Sequence, residues 1–212
     1  ATPPLDDPLP TARRDLDVAP DGEPPELFTS AEADRAAGEF LASAGLGLQR
    51  RLIALVPGAA HATKRWPEEH WRELVRRLAP TSDLVVLGGS GEREIGRRLE
   101  QVGEGSVASA AGHFSLLGSA ALLRRADVAV AGDTGLLHMA TAVRTPVVGL
   151  YGPGVPEFGF YPYRAAARVL EQPLSCRPCS AHGSPRCPLG HHRCLHDTSP
   201  DDVAAALGKP IR

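Results

Sequence analysis

The chain has 212 residues, of which 42% are hydrophobic and 23% charged, and a formal net charge of −2. This composition is ordinary for one compact domain and excludes a chain that is disordered throughout. No apolar run approaches the ~18 residues of a membrane span, and the N-terminus has no signal-peptide pattern. Without a long basic block, no nucleic-acid partner is expected, and a local site must hold any anionic ligand.

The first 50 residues differ from the rest of the chain. Residues 1–28 contain seven prolines and little apolar periodicity, which predicts an extended linker. Residues 29–32 have a capping-box pattern and Gly45 is a suitable stop, so a peripheral helix is predicted between them. We therefore expect residues 1–50 to be a linker with one helix and residues 51–212 to form the folded domain.

From Arg51 onward, short apolar runs alternate with segments of helical periodicity. Short strands that are apolar throughout are typical of a parallel sheet covered on both faces, so we predict a Rossmann-like α/β domain. Ligands of such sheets bind beyond the carboxyl ends of the strands. The predicted strands are 51–56, 83–89, 106–112, 127–133 and 146–152, with 167–171 as a sixth. The predicted helices are 67–79, 91–103, 115–126, 135–144 and 199–207, the last capped by Ser199 or Asp201.

The strand that ends at Asp133 passes into a helix through Thr134 and Gly135. Asp133 or Thr134 is placed to cap this helix, whose first N–H groups form an anion site, and Gly135 lets the backbone approach a ligand closely. His138 lies within the first turns, in reach of a phosphate or ribose bound there. A capped helix with a packed histidine is the alternative, since strand–Asp–Gly turns are common in α/β proteins.

Two further loops follow predicted strands. The loop at 57–67 carries Lys64, one of only two lysines, just before a helix N-terminus, where it would supply a point charge for a diphosphate. The alternative is an exposed, solvated lysine, with Trp66 packing under the loop. The loop at 88–92 lacks the complete dinucleotide fingerprint, and Glu92 is placed either to accept hydrogen bonds from ribose hydroxyls or to favour the helix dipole.

All four cysteines lie within residues 176–194, spaced C-x2-C-x7-C-x6-C. This clustering is not that of a disulfide-dense secreted scaffold. The Cys-x2-Cys spacing is suitable for a structural zinc site, while two disulfides or four free thiols are the alternatives. The candidate metal ligands are Cys176, Cys179, Cys187 and Cys194.

Several motifs, in this order and spacing, resemble glycosyltransferase family 9, the ADP-heptose:lipopolysaccharide heptosyltransferases and their relatives. They are PGAAHATKRWP, LGGSGE, DTGLLHMA with TPVVGLYGP, and the cysteine segment, and they cover about residues 50–207. The resemblance implies a GT-B fold, in which two Rossmann-like domains meet and the C-terminal one holds most of the nucleotide sugar. This chain resembles that C-terminal domain alone.

The same resemblance implies roles for individual residues. Lys64 would bind phosphate and Glu92 the ribose, and the backbone at Phe114 would meet the adenine edge. The donor's diphosphate and sugar would be bound by the motif residues Asp133, Thr134, Gly135 and His138. Ala59 and Ala60 depart from the family pattern, because heptosyltransferases often have Ser or Thr there, near the phosphates.

By resemblance, we expect a bacterial cytoplasmic glycosyltransferase, associated peripherally with the inner membrane, that takes a nucleoside-diphosphate sugar and a lipopolysaccharide or lipid-linked acceptor. No metal cofactor is required for catalysis in this scheme, and zinc would be structural. The general base belongs to the family's N-terminal domain, so no catalytic base is assigned here and little transfer is expected from this chain alone. The alternative is a metal-stabilised nucleotide-binding or interaction module without transferase activity.

Overall fold

A six-stranded parallel sheet lies at the centre of the protein, whose structure, a computed structural model, describes residues 22–211. The strand order is β3-β2-β1-β4-β5-β6, and every neighbouring pair is parallel. This confirms the predicted Rossmann-like architecture, while residues 1–21 of the predicted linker lie outside the described part. The strands are β1 (Arg51–Val56), β2 (Ser82–Val86), β3 (Val107–Ser109), β4 (Val128–Gly132), β5 (Val147–Tyr151) and β6 (Ala167–Glu171).

Helices connect the strands and cover both faces of the sheet. Ser30, not Thr29, is the N-cap of the first helix, and Ser199 caps the last one as predicted. Short 3-10 turns at Ala62–Lys64 and Ser90–Glu92 precede the second and third helices. The helices are α1 (Ala31–Ser43), α2 (Glu68–Leu78), α3 (Arg93–Gly103), α4 (Leu116–Arg125), α5 (Gly135–Ala142), α6 (Arg193–His196) and α7 (Pro200–Leu207).

Strand β1 shows why the strands are apolar throughout. Its successive side chains point to opposite faces, and helices bury both faces. Ala54 and Val56 belong to the core on the side of α1, α4 and α5, whereas Ile53 and Leu55 belong to the core formed with α2, α3 and α7. Residues 52–56 therefore have no solvent-facing position and do not alternate, whereas Arg51 at the start of the strand is exposed.

Helix α1, which the sequence assigned to the linker segment, packs on this domain. Its Ala37 and Leu41 are buried, and the ring of Phe40 meets that of Phe114 edge-on at 5.5 Å. None of the helices within residues 22–211 combines the length and the apolar character needed to cross a membrane.

Candidate functional site

The strand order reverses between β1 and β4, so the segments that follow these two strands lie side by side at the carboxyl edge of the sheet. Open α/β sheets bind ligands at such a crevice. A cleft of about 650 Å³ opens here. One wall is formed after β1 by residues 58–60 and Arg65. A second is formed after β2 by residues 88–92. The third lies on the side of α4 and α5 and is formed by residues 134–136, Leu116 and Met139.

Lys64 and Asp133, predicted on separate loops, form an ion pair with 2.5 Å between Nζ and Oδ2. The other carboxylate oxygen lies 3.9 Å from Nε2 of His138. Burial by itself would raise the pKa of the Asp133 carboxyl, but His138 and Lys64 outweigh it and hold that pKa below its ordinary value. The structure therefore brings three of the predicted site residues into one charged group beside the cleft.

Close backbone packing places Lys64 over the end of the sheet. The carbonyl oxygen of Lys64 would lie only 2.9 Å from a Cβ atom at position 132, so this approach requires Gly132 at the end of β4. On the other side, the Lys64 ammonium lies 5.6 Å from the centroid of the Phe160 ring. Only 11% of the Lys64 side chain is exposed, which contradicts the alternative of a freely solvated lysine.

Thr134 occupies the N-cap position of α5, but its side chain makes no capping hydrogen bond, so the predicted side-chain cap is absent. The Asp133 carboxylate is engaged by Lys64 instead, and the hydroxyl of Thr134 is buried without a hydrogen-bond partner within the described chain. Because buried polar groups are normally paired, this unpaired hydroxyl on a residue that lines the cleft makes Thr134 a candidate for contact with a ligand. Gly135 lines the same wall beside it.

Glu92, predicted to bind ribose, is among the residues that line the cleft. Its carboxylate accepts a hydrogen bond from Gly89 N at 2.9 Å. The side chain fills the space above Gly58, where an added Cβ would come within 2.5 Å of the Glu92 carboxyl carbon. The carboxylate is thus fixed in place at the cleft.

The predicted Phe114 is not among the residues that line the cleft. Its ring packs against Phe40 and over Gly118, in contact with the core. Leu116, 73% exposed, is the apolar side chain from this segment that reaches the cleft wall. In the sequence, the two adjacent leucines at the start of the predicted helix, Leu116 and Leu117, were the signal that could have identified this cleft residue.

Sequence reasoning also missed the aromatic support of Lys64. Tyr151 at the end of β5 stacks on Tyr161 with 4.0 Å between ring centroids, and its hydroxyl donates to the Phe160 carbonyl at 2.7 Å. These contacts hold the Phe160 ring against Lys64. The segment that carries Phe160 has no periodic pattern, so only the aromatic residues themselves gave a signal.

The cysteine segment is fastened to the Lys64 loop. Thr63 Oγ1 donates to the Ser184 carbonyl at 3.0 Å and accepts from Ser184 N at 2.8 Å. All four cysteines are free thiols, and within residues 22–211 no group of three or more His, Cys, Asp or Glu side chains is arranged to hold a metal ion. Cys176 Sγ lies 4.0 Å from Nε2 of His191. The thiols as placed do not form a zinc site, and structural zinc stays a prediction from their spacing.

Comparison with known proteins places these features in a family. The chain is 32% identical over 168 residues to lipopolysaccharide heptosyltransferase 2 of Salmonella typhimurium, covering 76% of this chain and 47% of that protein. Its fold is similar to that of E. coli ADP-heptose lipopolysaccharide heptosyltransferase II, with a TM-score of 0.70 and 26% identity over 91% of this chain and 55% of that one. It is also similar to an E. coli heptosyltransferase solved with ADP, with a TM-score of 0.58 and 27% identity over 81% and 48% of the two chains.

The chain spans about half the length of these relatives. The model of Glycosyltransferase family 9 (heptosyltransferase) matches residues 10–189, which include the Lys64 loop, Glu92 and the Asp133–His138 segment. Since this match extends over most of the 212 residues, the chain belongs to glycosyltransferase family 9.

Proposed function

We propose that this chain binds a nucleoside-diphosphate sugar of the ADP-heptose type, as the donor-binding part of a glycosyltransferase of lipopolysaccharide biosynthesis. The observation that carries the proposal is the cleft beyond the ends of β1 and β4, which is lined by Thr134, by the start of α5 without a side-chain cap, and by the fixed Glu92 carboxylate. A helix N-terminus suits phosphate and a carboxylate suits ribose hydroxyls. The relatives' names, and the ADP in one of their structures, support the same donor class.

The chemistry follows from where charge develops. Glycosyl transfer builds positive charge on the anomeric carbon and negative charge on the leaving diphosphate, so preorganised donors around the diphosphate lower the barrier. The α5 amides, the Thr134 hydroxyl and the nearby Lys64 ammonium would supply that stabilisation, and His138 would contact the phosphate or sugar. In this proposal the described residues stabilise the leaving group without a metal ion.

The acceptor half of the reaction is proposed to lie elsewhere. A general base must remove the proton of the acceptor hydroxyl, and the family places that base in the other domain. We therefore expect the 212 residues to bind donor but to transfer little by themselves. The acceptor would be lipopolysaccharide or its lipid-linked precursor, which places the reaction in the bacterial cytoplasm at the inner face of the inner membrane.

Calorimetric titration of the purified chain with ADP, UDP and GDP tests the proposal. We expect ADP to bind most tightly, and Thr134→Val to weaken ADP about tenfold, the loss expected for a hydrogen bond to a charged group. Because the Thr134 hydroxyl has no partner in the described chain, this variant should not lose stability. A folded sample that binds none of the three nucleotides would overturn the proposal, and efficient transfer by the chain alone would contradict its second part.

A further inference from the structure

Arg65 is the cationic side chain on the wall of the cleft. The charged residues among those lining it are Arg65 and Glu92, whereas Lys64 stands beside the cleft and not on its lining. The Lys64 ammonium is already paired with Asp133 at 2.5 Å and covered by Phe160. A diphosphate in the cleft would therefore contact the Arg65 guanidinium, because the Lys64 ammonium is already paired.

The orientation of Arg65 suits an incoming anion. Its Nε donates to the carbonyl oxygen of Ala59 at 2.8 Å, which anchors the plane of the guanidinium at the mouth of the loop. The residue is exposed, and within residues 22–211 no carboxylate forms an ion pair with it. The remaining guanidinium N–H donors are left for a ligand, in the planar fork that binds phosphate oxygens two at a time.

The other charged side chains at the cleft supply no net positive charge. Lys64 and Asp133 together contribute no net charge, and Glu92 contributes a negative one. An anionic ligand leaves water only where positive charge or donors replace its hydration. Ala59 and Ala60, on the same wall, provide no hydroxyl for this purpose.

We infer that Arg65 is a specificity residue for the diphosphate, which binds the terminal phosphate and so favours a nucleoside diphosphate over the corresponding monophosphate. The inference rests on the proposed donor class and adds the residue that selects its phosphate number. Arg65 acts in binding and is assigned no proton transfer.

Titration with ADP and AMP separates this role from a structural one. Arg65→Gln is expected to weaken ADP at least tenfold and AMP less than twofold, since only ADP offers the terminal phosphate. Arg65→Lys keeps the charge but loses the planar fork, so it should recover only part of the ADP affinity, with a steeper loss at high salt than Arg65→Gln shows. Arg35→Gln, a change at an exposed arginine on α1 away from the cleft, is the matched control and should bind both nucleotides like the unsubstituted chain.

Different results would overturn the role of Arg65 and the proposed donor class. Unchanged ADP affinity in Arg65→Gln, or an equal loss for ADP and AMP, would overturn the inference while leaving the donor proposal intact. Failure of the unsubstituted, folded chain to bind either nucleotide would instead overturn the donor proposal and this inference with it.

Discussion

The two edges of the sheet hold their carboxylates in different ways. At the amino edge, Asp83 is 5% exposed, accepts a hydrogen bond from Gly47 N at 2.8 Å and pairs with Arg50 at 3.5 Å. Arg50 in turn donates to the Ser82 carbonyl at 2.9 Å and to the Ser106 hydroxyl at 3.1 Å. This network ties the starts of neighbouring strands together through the backbone.

At the carboxyl edge, Asp133 is bound by side chains from two other places in the chain. Lys64 contacts one oxygen and His138 approaches the other, and the Thr134 hydroxyl next to them has no partner within the described residues. Side chains can reorient around a ligand at lower cost than backbone groups can. From this difference we expect Asp83 to stabilise the fold and Asp133 to organise the proposed donor site.

The largest effects are expected when the cation at each edge is removed, because one change should affect ligand binding and the other should affect stability. Lys64→Gln leaves the Asp133 carboxylate uncompensated beside the cleft, so ADP affinity should fall about 100-fold, equivalent to about 2.7 kcal/mol. Arg50→Gln removes hydrogen bonds to the backbone and should instead lower the free energy of unfolding by about 1–2 kcal/mol. Calorimetric titration and urea unfolding of both variants measure the two effects.

Each variant serves as the control for the other. Arg50→Gln should bind ADP within about twofold of the unsubstituted chain, since Arg50 lies at the opposite edge of the sheet. If Lys64→Gln bound ADP as tightly as the unsubstituted chain, the ammonium would serve only to hold Asp133, and the functional difference between the edges would be lost.

The sequence predicted the fold well because burial determines both the pattern and the structure. The run at 167–171 forms β6 as expected, and the predicted strands and helices occur in the predicted order, with the short α6 as an addition that was not predicted. Strand β3 is shorter than the predicted 106–112. It pairs only with β2 within the described sheet, and that pairing ends at Val86 opposite Ser109. Edge strands have one neighbour to set their length, which an apolar run does not reveal.

The sequence identified loops that border the cleft but did not predict the contacts between them. Lys64, Glu92 and Asp133 were identified because they follow strands whose carboxyl ends meet. The ion pair that prevents Asp133 from capping α5 depends on how two distant loops pack, and no local pattern encodes it. The cleft role of Arg65 likewise follows from the hydrogen bond that orients it on Ala59.

A smaller effect concerns acid stability at the carboxyl edge. The pKa of Asp133 is lowered in the folded chain, so its ionised form stabilises the fold above the unfolded-state pKa of about 3.9. This contribution should be lost as pH falls below about 4 and through the folded-state value. Asp133→Asn should therefore be less stable than the unsubstituted chain at pH 7, and the gap should close in acid.

Urea unfolding of both proteins between pH 3 and pH 7 measures that gap. Other carboxyls whose pKa is lowered, such as Glu171 beside Arg177, are present in both proteins and cancel in the difference. A gap that stayed constant down to pH 3 would mean that the Lys64–Asp133 pair does not persist in solution.

The smallest expected effect concerns the reactivity of the four thiols in the cysteine segment, which packs over the carboxyl edge. Cys194 is 8% exposed and burial raises the pKa of its thiol, whereas backbone hydrogen bonds lower the pKa of the Cys187 thiol, so alkylation of the native chain should label Cys187 before Cys194. The cysteine spacing instead predicts one structural zinc, which would protect all four thiols together until a chelator is added. Site-resolved mass spectrometry, with zinc analysis of the same sample and a urea-unfolded control, distinguishes the two. Graded labelling is the result expected from the unequal exposure of the four thiols, and joint protection with one zinc per chain would show that the thiols converge on a metal.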